Sequence, residues 1–301
     1  MLSIRLVAVM ALQGKNVHVP PFREMPPPAP AGPIVLSSPH SGTHYPRVLL
    51  EALRVRPARL RLLEDGPIDR LAEEGGAAGA TLLAATYARA FIDLNRSACE
   101  LDPELLGGEV DGLAVRLTTK VRAGLGVVPS RLGTEPIYAR PLRPMEMRAR
   151  LEHAWQPYHR RLSELLAARR AEHGVALLLD CHSMPADPVA VRAGRQVDVA
   201  LGDRFGRSCH GAIVETARIA LEAAGLCVAR NRPYAGGFIT EHYGRPAGGV
   251  HALQLELRRS LFMDESSGEP HGDFAALQRV LGRLVTVLGE RLAAGLPGDA
   301  A

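Results

Sequence analysis

The run Val175-Ala176-Leu177-Leu178-Leu179, preceded by Gly174 and continued by Asp180-Cys181-His182-Ser183, constrains the fold more than any other segment of the chain. Apolar residues in a short run behind a glycine read as a buried strand. The polar groups that follow then stand at its carboxyl end, where open α/β sheets carry their chemistry. A second such strand, Ile34-Val35-Leu36, leads into Ser37-Ser38-Pro39-His40-Ser41-Gly42, and a third, Val250 to Leu257, carries Glu256. Two imidazoles and a buried carboxylate on three strands suggest one metal-hydrolase site.

The chain has 301 residues, 47% of them apolar and 23% charged, which is a globular composition with enough length for a large core. Its net charge of +4 does not point to nucleic acid. Lys15 and Lys120 are the only lysines, so 34 of the 36 basic residues are arginines, spread along the chain rather than gathered with aromatics in a stripe. No membrane partner is expected, since nothing approaches the ~18 apolar residues of a span. Cys99, Cys181, Cys209 and Cys227 show no CxxC spacing, which fits a reducing, cytoplasmic setting.

Residues 1–32 read as an extended proline-rich arm, and residues 33–296 as one α/β domain. Further strands are expected over 81–85, 90–93 and 226–229. Helices are expected over 59–74 with a restart at Pro67, from Pro144 to Gly174 with an interruption at Pro157, and over 211–224. Residues 100–142 read as an irregular excursion and 231–249 as a glycine-rich loop. A closing helix is capped by Asp273 and buries Phe274, Leu277, Leu281, Leu284, Leu288 and Leu292. The alternation predicts a three-layer α/β domain whose mixed, largely parallel central sheet is flanked by helices.

His40 and His182 are the natural imidazole ligands of such a site, and Glu64, Asp65 and Asp69 offer carboxylates between them. Asp180 shares a strand face with His182 and is placed to orient its ring, or else to cap a loop. Alternation sets Gln254 and Glu256 on one face and Leu253, Leu255 and Leu257 on the other. Glu256 suits a general base beside an activated water; the competing reading is a salt bridge to Arg258 or Arg259. Asn95 and Arg96 pair an amide with a guanidinium fork, suited to a carboxylate or an oxyanion. Asn231, Gly236 and Gly237 belong to a loop able to wrap a small ligand. Neither a GxxxxGK[ST] element nor a GxSxG elbow occurs. Ser41 and Ser183 adjoin their histidines in sequence and so do not face them.

Together, Ser37-Ser38-Pro39-His40-Ser41-Gly42, Asp65 with Asp69, Asp93-Leu94-Asn95-Arg96, Asp180-Cys181-His182-Ser183, Asn231 to Gly237 and Gln254-Leu255-Glu256-Leu257 resemble the N-formylglutamate amidohydrolase family, in the family's order. The resemblance implies a zinc-carboxypeptidase-like fold and hydrolysis of N-formyl-L-glutamate to formate and L-glutamate, late in histidine degradation. It implies Zn²⁺, or another divalent transition metal, on His40, Asp65 and His182. It also implies Glu256 as general base and acid, and Asn95 with Arg96 as the substrate clamp. The acidic segment departs from the family's usual Thr-Asp-Trp: here it is Glu64-Asp65-Gly66, so Glu64 rivals Asp65. The alternatives are a zinc hydrolase of another N-acyl amino acid or short peptide, and a non-catalytic ligand-binding protein on the same scaffold.

Overall fold

A computed structural model describes residues 19–28, 30–108, 110, 112–187 and 196–297. Most of the expected arm, residues 1–18, lies outside these, as do Ala29, Glu109, Asp111 and residues 188–195. The backbone gathers into two compact units. Of the described residues, those within 24–38, 65–83 and 162–297 form one, and those within 19–23, 39–64 and 84–161 form the other.

The first unit is built on the central sheet, whose strands are β1 (Phe22–Met25), β2 (Ile34–Ser38), β3 (Thr81–Ala85), β6 (Ala176–Met184), β7 (Val199–Gly202), β8 (Val228–Arg230) and β9 (Val250–Arg258). Their order is β1-β3-β2-β6-β9-β7-β8. β2, β6 and β9 run parallel, while β7 pairs antiparallel with β9 and parallel with β8. The sheet is therefore mixed, as expected. Leu36, Leu179, Cys181, Leu253, Leu255 and Leu257 share its apolar face. Against them pack α1 (Ile68–Ala77), α4 (Gly211–Ala223) and α6 (Phe274–Ala293), including the whole stripe expected for α6. α5 (Phe238–Tyr243) contacts β6 and β9, and its Thr240 hydroxyl reaches Gln254 on the opposite face.

Four expectations need correction here. The arm contributes edge strand β1 at Phe22–Met25. β6 does not stop at Leu179 but runs to Met184, so His182 lies within the strand. β7 was not anticipated, and the 231–249 loop contains α5 and a 3-10 turn, Pro246–Gly248. The helix over 59–74 is a 3-10 segment, Pro57–Leu63, followed by α1 with Pro67 at its N-cap.

The second unit is mostly irregular, with short strands β4 (Arg131–Leu132) and β5 (Glu135–Pro136) inside the expected excursion. Ala90–Asp93 is not a strand. Phe91 N and Ile92 N both donate to Ala88 O, so this buried apolar run coils as a turn. α2 (Pro144–Arg150) passes into a π turn, Leu151–Trp155, and on into α3 (Gln156–His173). Pro157 has no N–H for the carbonyl one turn back, and the widened turn before it lets the helix continue where an interruption was expected.

Candidate functional site

The parallel register of β2, β6 and β9 gathers a cluster of polar groups on the face opposite the leucines. Ser37 lies opposite Asp180, Asp180 opposite Gln254, and His182 opposite Glu256. All five side chains are buried. His182 is held from both sides: its Nδ1 lies 2.8 Å from Asp65 Oδ2, and its Nε2 lies 3.0 Å from Asp180 Oδ2. Burial opposes charge on this ring. The carboxylates of Asp180 and Asp65 outweigh that and hold its pKa well above the ordinary imidazole value. Ser37 donates to Asp180 at 3.1 Å, and Ser183 donates to the Asp65 carbonyl at 2.8 Å.

In the second unit, His40 stands two residues beyond the end of β2. Its Nε2 lies 2.7 Å from Asp93 Oδ1. Burial pushes the Asp93 carboxyl up, but Arg89, His40 and Arg96 together hold it well below the usual carboxylate range. Asp93 Oδ1 also accepts the Asn95 N–H at 2.8 Å, which fixes the turn that presents Asn95 and Arg96. Arg96 Nε donates to Leu125 O at 3.0 Å. The π turn and the start of α3 brace this segment: Trp155 Nε1 donates to Arg96 O at 2.8 Å, and His159 Nε2 lies 2.9 Å from Leu94 O.

His40, Asp65 and His182 are each buried. Each imidazole thus has its Nε2 against a carboxylate, the pairing that orients metal-binding histidines. The neighbouring Glu64 accepts a hydrogen bond from the Tyr45 hydroxyl.

Asn231 is committed to the fold. Its Nδ2 donates to Asp203 Oδ1 at 2.6 Å, and its Oδ1 accepts the Asp203 N–H at 3.0 Å. Gly236 adopts a φ of 120°, which favours glycine. Gly237 N donates to Gln254 Oε1 at 2.6 Å, and Gln254 Nε2 donates to Glu256 Oε1 at 2.8 Å. The cations weighed against Glu256 have acidic or polar partners elsewhere. Arg258 meets Asp198 at 2.5 Å, while Arg259 donates to Ser183 Oγ at 2.9 Å and approaches Asp65 at 3.7 Å.

Sequence reasoning assigned no role to Asp93, Gln254 or Trp155. A carboxylate inside the apolar run Phe91-Ile92-Asp93-Leu94 was a readable signal for the first. Trp155 acts through Arg96, 59 positions away, and Gln254 is fixed by Gly237, 17 positions away.

Residues 32–263 match the family described as N-formylglutamate amidohydrolase. The N-formylglutamate deformylase of Pseudomonas aeruginosa is 36% identical over 239 residues, covering 78% of this chain and 84% of that protein. That of Pseudomonas putida is 34% identical over 238 residues, covering 78% and 83%. The crystal structure of N-formylglutamate amidohydrolase from Ralstonia eutropha JMP134 is 37% identical and superposes with a TM-score of 0.86, over 92% of this chain and 100% of that one. A gene product of Agrobacterium tumefaciens, 18% identical, shares the fold with a TM-score of 0.62. On the extent of this match and the identity of these relatives, the chain belongs to the N-formylglutamate amidohydrolase family.

Proposed function

We propose that this chain hydrolyses N-formyl-L-glutamate to formate and L-glutamate, as a metal-dependent amidohydrolase of cytoplasmic histidine degradation. The observation that carries the reading is the β6–β9 register, which sets the His182 imidazole beside the Glu256 carboxylate in a molecule of this family. Four free thiols fit a reducing compartment. Among the described residues no helix is long and apolar enough to cross a membrane.

The donor set fits a divalent transition metal on His40, Asp65 and His182. Two imidazoles and a carboxylate suit zinc and leave a position for water. Asp65 and Asp180 also flank a single ring, and buried carboxylates need a compensating cation. When bound there, such an ion supplies Lewis-acid polarisation of the formyl carbonyl and acidifies a water molecule.

The remaining work falls to the chain. Glu256 takes a proton from the attacking water as the new C–O bond forms, then returns it to the glutamate nitrogen as the C–N bond breaks. Asn95 and Arg96 hold a substrate carboxylate or the developing oxyanion, braced from behind by Asp93 and Trp155. Gly236 and Gly237 lie against the substrate, and Asn231 shapes their loop.

The test measures formate and glutamate release by protein of known metal content, before and after chelation. Metal-dependent release of both products is expected. Stoichiometric metal without turnover would retain the ligand set and move the substrate to another N-acyl amino acid. Protein that neither binds metal nor turns over would remove the ligand assignment.

A further inference from the structure

The Asn231–Gly237 loop and the proposed base are joined by one side chain. Gly202 on β7 pairs with Gln254, and a Cβ at Gly202 would stand 2.7 Å from both Ala235 C and Gly236 N. Only glycine lets the loop settle this low over the end of β7. The descent brings the Gly237 N–H to 2.6 Å from the Gln254 side chain. A backbone N–H only donates, so the atom facing it is the amide oxygen. The Thr240 hydroxyl, 3.5 Å from the same oxygen, agrees. With its oxygen so fixed, Gln254 presents Nε2 to Glu256 Oε1 at 2.8 Å, again as a donor. The amide cannot turn over without placing N–H against N–H at Gly237 and oxygen against oxygen at Glu256.

We propose that Gln254 is a positioning residue for the reaction: locked by Gly237, it holds Glu256 in one rotamer with Oε1 as a permanent acceptor, so that proton exchange occurs at Oε2. This rests on the assignment of Glu256 as base. The same link makes the loop's position a condition for the base's alignment. A substitution that lifts the loop then lowers turnover without touching Glu256.

The test compares Q254M, Q254E, G202A, E256Q and the double variant Q254M/E256Q, with kcat and KM for N-formyl-L-glutamate, metal per chain and melting temperature measured for each. A hydrogen bond to a charged acceptor is worth roughly tenfold to a hundredfold. Q254M is expected to lower kcat by about that factor, with KM, metal content and melting temperature close to those of the unaltered chain. G202A is expected to lower kcat in the same sense. In the E256Q background Q254M should add almost nothing, because two residues acting as a unit are not additive. A merely structural glutamine would instead lower the melting temperature and add its loss to that of E256Q. Should Q254M fail to fold, Q254E carries the test: it keeps the side chain's shape and the acceptor for Gly237 but replaces the donor facing Glu256 with an oxygen, and the same fall in kcat is expected. A kcat within about twofold in the folded variant, or full additivity with E256Q, overturns the positioning role while a collapse in E256Q leaves the hydrolase reading standing. Retained turnover in E256Q overturns both.

Discussion

Replacing Gly42 by alanine tests how tightly the segment carrying His40 is seated. A Cβ at Gly42 would lie 2.2 Å from Tyr87 O, 2.7 Å from Tyr87 C and 2.8 Å from Thr86 C. Gly42 lies outside the left-handed region, so the obstacle is space alone. Ordinary contact begins at 3.4 Å, so the segment must retreat by 1.2 Å (3.4 minus 2.2). That retreat is resisted by the hydrogen bonds His44 N to Thr86 O and Ala88 N to His44 O, each 3.0 Å. Overpacking against rigid backbone costs about 1–3 kcal/mol, and weakening two backbone hydrogen bonds adds about 1 kcal/mol more. A total near 3 kcal/mol lowers the melting temperature by about 6 °C in a chain of this size. Because His40 lies two residues away, metal retention in the presence of a competing chelator should fall with it. The control is G76A, where the new Cβ meets nothing within 4 Å near the end of α1. There the same chemical change should stabilise by about 0.5–1 kcal/mol, through helix propensity. Calorimetry and metal analysis on both variants give the answer. A G42A protein melting within about 1 °C of the unaltered chain, with metal retention intact, would refute the steric argument.

Three further outcomes are expected. D180N weakens the charge held against His182 Nε2 at 3.0 Å and should lower metal affinity about tenfold to a hundredfold, read by competition with a chromogenic chelator; unchanged affinity would deny Asp180 that role. Burial raises the Glu146 carboxyl, but hydrogen bonds from Arg140 and Arg143 outweigh it and bring it down to about 2, so its contribution is complete above the ordinary value of 4.5 and fades as pH falls toward 2. Arg140 and Arg143 are well exposed, so about 1 kcal/mol should separate the unaltered chain from E146Q in urea titrations at pH 6, and the gap should narrow as pH falls below 4.5 and close only near pH 2; a pH-independent gap would contradict this. Arg150 is fully buried, bonded through Nη1 to Phe91 O and the Tyr138 hydroxyl, while its Nε and Nη2 find no partner among the described residues. R150M should therefore be neutral or stabilising by about 1–4 kcal/mol, and a clear fall in melting temperature would show that the charge itself holds the core.

The sequence was most legible where burial was one-sided and apolar. The leucine run of β6, the alternation in β9 and the stripe of α6 each declare both an element and the face it buries. It was least legible where polar groups are buried. Asp180, His182 and Ser183 continue β6 because β9 pairs with them, and hydropathy alone ends that strand at Leu179. Conversely, Phe91 and Ile92 are apolar because they are packed, in a turn whose hydrogen bonds return to Ala88. The motif residues could be picked out one at a time, but their partnerships could not. Asp93 meets His40 across 53 positions, and Gln254 meets Gly237 across 17.

The apolar face also fixes the chemistry on its reverse. In β6 and β9, Leu177, Leu179, Leu253, Leu255 and Leu257 point into the helix-covered core, and the alternate positions carry Asp180, His182, Gln254 and Glu256. Side chains alternate with period two, so a slip of β9 by one residue would bring Leu255 or Leu257 opposite His182. It would also turn the three β9 leucines toward the polar side. The same slip would drive Gln254 and Glu256 into the leucine core, where an unpaired carboxylate costs several kcal/mol, comparable with the whole stability of a typical domain. The pairing of His182 with Glu256 therefore needs no attraction between the two groups. The leucines behind them enforce it, which frees both side chains to be selected for reactivity rather than for holding the sheet together.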